Sequence, residues 1–145
     1  MTEIRACTAA DFEQILLLLQ QLWPDKTLGR EQLREVYSRA LSSERTQRLL
    51  CAVEEERVVG FCSMTIKNNL WIEGFLAHVD ELVVDRAKRG RGIGARLLQS
   101  AIALARALNC ARIELDSAFH RGDAHAFYER QGFENRAYLF SLPLA

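Results

Sequence analysis

The segment with the clearest chemical potential is Arg89-Gly90-Arg91-Gly92-Ile93-Gly94, a charged glycine-rich turn. It follows the apolar run Glu81-Leu82-Val83-Val84 and precedes a helical pattern opening at Ala95-Arg96-Leu97-Leu98. Glycines without a Cβ let the backbone approach a ligand closely, and the first N–H groups of a helix have no partner and carry partial positive charge. Together they suit a phosphate or pyrophosphate, and Arg89 and Arg91 add charge-assisted donors. Two other phosphate-binding folds are excluded. A dinucleotide fingerprint needs GxGxxG and an acidic residue about 20 positions on, whereas Gly90, Gly92 and Gly94 simply alternate. A P-loop needs GxxxxGK[ST], which is absent.

His120 and His125, with Asp116 and Asp123 nearby, invite a metal or a serine–histidine reading. No zinc spacing such as HExxH accompanies them, so a structural or site-edge role is expected and no metal. Cys7, Cys51, Cys62 and Cys110 are scattered among apolar or small residues without a CxxC pair. They read as free thiols in a reducing compartment.

The elements that must position the turn follow from periodicity. Thr8-Ala9-Ala10-Asp11 caps a helix in which Phe12, Ile15, Leu16, Leu19 and Leu22 share a face, and Pro24 ends it. Leu33, Val36, Tyr37, Ala40 and Leu41 mark a second helix. Strand-like runs at 49–53 and 58–66 flank a turn at Glu54-Glu55-Glu56-Arg57, and a third runs over 75–84 into the glycine turn. Leu97, Leu98, Ala101, Leu104, Ala105 and Leu108 give a long helix, Ile113 and Leu115 a strand, residues 124–131 a helix, and residues 133–142 a last strand or strands. The order β-αα-βββ-α-β-α-β predicts a mixed α/β single sheet. A chain of 145 residues, about half apolar, is expected to form one domain, 1–145. Balanced charge, 19 basic against 19 acidic residues, gives no sign of a nucleic-acid partner. No run approaches the roughly 20 apolar residues that span a bilayer, and the first residues lack a leader's apolar core, so a cytoplasmic protein without a membrane partner is expected.

Two ordered motifs now carry a resemblance. R-G-R-G-I-G after E-L-V-V-D is similar to the [RQ]-x-x-G-x-[GA] motif of the GNAT superfamily of N-acetyltransferases. Residues 124–133, A-H-A-F-Y-E-R-Q-G-F, resemble that family's A-x-x-F-Y-x-x-x-G-F segment. The element order agrees along nearly all of the chain. The resemblance implies a twisted mixed sheet with splayed central strands and acetyl-CoA as co-substrate, its pyrophosphate on the backbone of Arg89, Gly90, Arg91, Gly92, Ile93 and Gly94. It also implies pantetheine pairing with Leu82 and Val84, and an oxyanion donor at the N–H of Val83 or Val84.

An alkyl amine is mostly charged at pH 7 and must lose a proton to attack. Glu81 resembles the acidic residue many relatives use as general base, and Tyr128 stands where the family places a phenol that protonates the departing thiolate. Strand alternation puts His78 and Asp80 on the opposite face from Glu81 unless a bulge intervenes, which makes them weaker candidates. Many relatives carry asparagine just after the strand that here reads Ile113-Glu114-Leu115-Asp116; this chain has Ser117, which would have to supply the pantetheine contact. The acceptor is expected at Trp23, Asp25, Trp71 and Glu73, in the segments that differ most between relatives. The C-terminal half resembles aminoalkylphosphonate and aminoglycoside acetyltransferases, which implies a small primary amine. Protein N-acetylation and non-catalytic acyl-CoA binding are the alternatives. Trp71, Phe75, Tyr138 and Phe140 on exposed-edge candidates suggest a homodimer.

Overall fold

The computed structural model describes residues 1–118 and 120–145, which fall into two compact units, Met1–Glu114 and Leu115–Ala145. The first unit is built on a sheet of strand order β1-β2-β3-β4-β5. Its strands are β1 (Thr2–Ala6), β2 (Gln47–Glu54), β3 (Arg57–Asn69), β4 (Gly74–Val84) and β5 (Cys110–Leu115). β1 to β4 pair antiparallel in succession. Glu55 and Glu56 form the expected tight turn between β2 and β3, both with positive φ. The return to β5 runs through helix α3 (Ile93–Ala107), giving a mixed, open sheet.

Helix α1 (Phe12–Leu22) forms where the apolar spacing places it, and Phe12, Ile15, Leu18 and Leu19 are its buried face. Its entry is held by Asp11, which accepts from the Thr8 amide at 2.7 Å and from both terminal nitrogens of Arg5 at 2.8 and 2.9 Å. Helix α2 (Arg30–Ser42) is fixed beside it by Tyr37, whose hydroxyl donates to the Thr8 carbonyl at 2.6 Å and whose ring lies 5.5 Å from that of Phe12.

β3 is buried almost continuously because both of its faces are covered. Phe61 belongs to the core formed with α1 and α2. Gly60, one residue earlier, points the other way, to α3: a Cβ there would stand 2.8 Å from Leu97 Cδ1 and 3.3 Å from the Ala52 methyl.

β5 meets β4 at its beginning, where a Cβ on Gly74 would lie 3.9 Å from that of Ala111.

The second unit contains helix α4 (Gly122–Arg130). The strand expected over residues 133–142 is not formed among the described residues. Phe133, Tyr138 and Phe140 are residue types suited to a strand, but a strand exists only where a neighbour accepts its backbone ladder, and Tyr138, Leu139, Phe140 and Leu142 are all exposed.

The packing of α3 on Gly60 predicts that Gly60→Ala costs about 1–3 kcal/mol, since Leu97 is fully buried and has nowhere to move. Urea denaturation should show a lower midpoint with an unchanged slope.

Candidate active site

The glycine-rich turn is built as its composition requires. After Val84, Asp85 closes a short turn by accepting from the Ala87 amide at 3.2 Å, and Arg89 reaches back to the Val84 carbonyl, Nε to O 3.0 Å. Gly90 and Gly92 then adopt φ of 78° and 81°, the left-handed region that a side chain resists, and no atom lies within 4 Å of where either Cβ would be. Both glycines border open space. α3 begins immediately, with Arg96 N the first amide to reach back, to Gly92 O at 3.1 Å, and the amides ahead of it have no acceptor within the helix.

Arg91 does not extend freely from this turn. Its guanidinium takes both carboxylate oxygens of Glu54 at 3.2 Å, Lys88 Nζ lies 3.3 Å from the same carboxylate, and Thr2 Oγ1 donates to it at 2.7 Å. The Thr2 hydroxyl, then Lys88 and Arg91, hold Glu54 well below the usual carboxylate range, at about 2. The turn is thus clamped to the end of β2, a partnership that reading Glu54 as part of a polar turn did not reveal.

On β4 the register slips between Ser63 and Met64 of β3: Ser63 opposes Glu81, Met64 opposes Val79, and Asp80 is the extra residue. The bulge, rather than strict alternation, decides the facing, and Asp80 and Glu81 both line one cavity of about 460 Å³. Ser63 ties the site together. Its Oγ accepts from the Glu81 amide at 3.1 Å and donates to Glu81 Oε1. Burial pushes the Glu81 carboxyl up, the Ser63 hydrogen bond opposes this, and the Asp80 charge adds to the rise. Asp80 accepts from Thr65 Oγ1 at 2.5 Å and lies 2.8 Å from Nδ1 of His78. Ser63 and Thr65 are site residues that motif reasoning missed. Their signal was present as hydroxyls in the otherwise apolar run Phe61-Cys62-Ser63-Met64-Thr65-Ile66.

Trp23 lines this cavity, together with residues of α1, α2 and the segment between them. Asp25, Trp71 and Glu73 are not among its walls. Trp71 and Glu73 sit in the turn joining β3 to β4, with Trp71 71% exposed. In the second unit, the Tyr128 ring packs edge-on against Phe127 and Phe133, centroids 5.3 and 6.1 Å apart. Ser117 Oγ is buried without a hydrogen-bond partner among the described residues. His125 Nε2 bonds the Ala118 carbonyl at 2.8 Å, and His120 is exposed. Among the described residues no three His, Cys, Asp or Glu side chains converge as a metal would require.

With this geometry in hand, comparison with known proteins places the chain. The profile of the acetyltransferase (GNAT) family matches residues 12–133. An aminoalkylphosphonate N-acetyltransferase of Salmonella typhimurium is 29% identical over 98% of this chain and 91% of that protein. A glucosamine 6-phosphate N-acetyltransferase of Trypanosoma brucei brucei is 26% identical over 90% of this chain and 88% of its own length. Among solved structures, one described as a transcriptional regulator from Bacillus halodurans superposes with a TM-score of 0.86 at 27% identity, covering 99% of this chain and all of that one.

The environment of Glu81 makes a stability prediction. A carboxyl whose folded pKa is raised above its unfolded value costs stability when ionised, so the cost is absent below the usual carboxylate range and grows as pH rises through it. Glu81→Gln should therefore be more stable than the parent at pH 7 and lose that advantage by about pH 4, read by thermal melts across pH.

Proposed function

The chain belongs to the GNAT acetyltransferase family, an acyltransferase family, and from that premise we propose that it moves the acetyl group of acetyl-CoA to the nitrogen of a small primary amine. The observation that carries this reading is the arrangement along β4: a half-buried carboxylate at Glu81 whose pKa burial raises, and a few residues on a glycine turn suited to an anion and bordered by open space. The two N-acetyltransferase relatives, each with a small-molecule acceptor in its name, support the acceptor class.

The residues present fit acetyl-CoA. Gly90 and Gly92 leave vacant the volume that side chains would fill, and the free amides at the start of α3 suit a phosphate's chemistry; Ser117 is assigned to the pantetheine arm by the family resemblance alone. In this reading the backbone of Arg89, Gly90, Arg91, Gly92, Ile93 and Gly94 holds the pyrophosphate. Arg89 adds charge, while Arg91 contributes its amide and spends its side chain on Glu54. Alternate residues of Leu82, Val83 and Val84 turn N–H and C=O away from β3, and in this reading those groups meet the pantetheine and the acyl oxygen.

When bound, acetyl-CoA supplies an acyl carbon activated as a thioester. Glu81 takes the ammonium proton so that the nitrogen lone pair is free, and its raised pKa brings it closer to neutrality, where a base works best. The C–N bond forms as the C–S bond breaks. Tyr128, assigned from the F-Y motif, returns a proton to the sulfur. Exposed Trp71, Tyr138 and Phe140 support a homodimer, and four free cysteines support a reducing, cytoplasmic setting.

Three variants test the mechanism. Gly92→Leu should abolish CoA binding by calorimetry; the positive φ of this position adds about 1–2 kcal/mol of backbone strain, so circular dichroism must show the fold retained for the loss to be read as a binding effect. Tyr128→Phe should lower kcat roughly 10- to 1,000-fold with CoA affinity nearly unchanged. Glu81→Gln should lose most activity at low pH, where the amine is most protonated, and recover toward the amine's own pKa; a constant loss at every pH would make Glu81 an orienting group.

A further inference from the structure

The cavity at Glu81 also states what kind of amine it takes. Resting on the acetyl-transfer reading above, we propose that the acceptor is a primary amine carrying an apolar aryl or alkyl body, and not a phosphate- or phosphonate-bearing amine of the kind the two relatives are named for. The cavity holds about 460 Å³, room for a compact small molecule. Its walls are dominated by Phe12, Ile15, Leu19, Leu33, Phe61 and Trp23. Among the described lining residues the only acids are Asp80 and Glu81, adjacent on β4. An ammonium group satisfies that pair, and everything it carries beyond the nitrogen must lie against hydrocarbon.

An anionic substituent would need convergent cations, preferably arginines that grip phosphate oxygens in a fork. Among the described lining residues Lys26, on the exposed loop before α2, is the only cation. The nearby arginines are committed elsewhere. Arg30 and Arg34 both bind Glu13, Arg34 also lies 4.6 Å over the face of Phe12, and Arg5 is held by Asp11. Of the uncharged polar groups on the wall, the Tyr37 hydroxyl donates to Thr8 and Ser63 serves Glu81, while Thr27, Gln32 and Gln47 carry no charge to balance an anion. A dianion set against these walls would lose its hydration without compensation, whereas a phenyl or indolyl group gains from leaving water.

The test uses the intact protein with four amines: 2-phenylethylamine, tryptamine, 2-aminoethylphosphonate and glucosamine 6-phosphate. Acetyl transfer is read as CoA thiol release, and binding of each amine is read separately by calorimetry without acetyl-CoA. The proposal expects kcat/KM for the two arylalkylamines to exceed that for the two anionic amines by roughly 30-fold or more, the worth of burying one aromatic group. Leu33→Arg, which adds a guanidinium to the wall, should lower kcat/KM for 2-phenylethylamine roughly 10- to 100-fold and narrow the gap to 2-aminoethylphosphonate. The wild-type panel decides the matter even if that variant does not fold. Higher kcat/KM for either anionic amine overturns the proposal and leaves the acetyl-transfer reading standing. Arylalkylamines that bind but are never acetylated overturn the transfer reading and leave the cavity's preference intact. Absence of binding by both arylalkylamines overturns the proposal.

Discussion

One extra residue in β4 sets the chemistry of this fold. Because the β3–β4 register slips at Asp80, that side chain shares the cavity with Glu81. In an unbroken ladder Asp80 would lie on the face that Gly60 opens to Leu97, where a carboxylate would be buried among aliphatic side chains with no cation to meet it. The bulge converts that liability into a pair of acids on one side. The pair is held, not merely tolerated: Ser63 fixes Glu81 through backbone and carboxylate, and Thr65 and His78 fix Asp80. Burial and the neighbouring charge then raise Glu81 toward the range in which a carboxylate can take a proton from an amine.

The same physics explains what was legible in the sequence. α1, α2 and α3 announce themselves by apolar residues on one face, the hairpin at Glu55 and Glu56 by a polar break, and the anion turn by glycines placed between a strand and a helix. All of these are local patterns. The bulge is a relation between two strands, and nothing within residues 74–84 alone records where β3 slips against them. Strand alternation left the bulge open as an exception; the pairing of Ser63 with Glu81 supplies it. Residues 133–142 show the converse: Phe133, Tyr138 and Phe140 are β-prone types, yet whether a strand forms depends on a ladder partner that no local pattern specifies. The cavity walls, drawn from Phe12 to Glu81, lie too far apart in the chain to be associated by spacing; Trp23 is among them, and Asp25, Trp71 and Glu73, expected on the same grounds, are not among the described lining residues.

Glu54 illustrates how a residue outside any motif can govern one. Two positive-φ glycines in succession make a turn that is well suited to approach a ligand and poor at holding a shape, since glycine gives up the most conformational freedom on folding. The clamp of Glu54 on Arg91 and Lys88 restrains the turn from the far side, at β2, and gathers two like charges that would otherwise repel each other. A motif reading assigns Arg91 to the ligand because arginine recognises phosphate. The geometry gives its side chain an internal carboxylate and leaves the backbone to face outward.

β4 therefore runs between two environments of opposite sign. At Asp80 and Glu81 the strand presents carboxylates to an apolar cavity, and at Arg86, Lys88 and Arg89 it passes into basic residues and unpaired helix amides. The three residues between, Leu82 to Val84, span roughly 10 Å of extended chain. Under the proposed reaction, a cationic amine is favoured at the carboxylates and a polyanionic co-substrate at the turn, so opposite charge would sort the two reactants before any specific contact forms. Sorting of this kind needs no moving part. It requires only that Glu81 be half-buried beside the α1–α2 wall and that Arg30, Arg34 and Arg5 be engaged by Glu13 and Asp11.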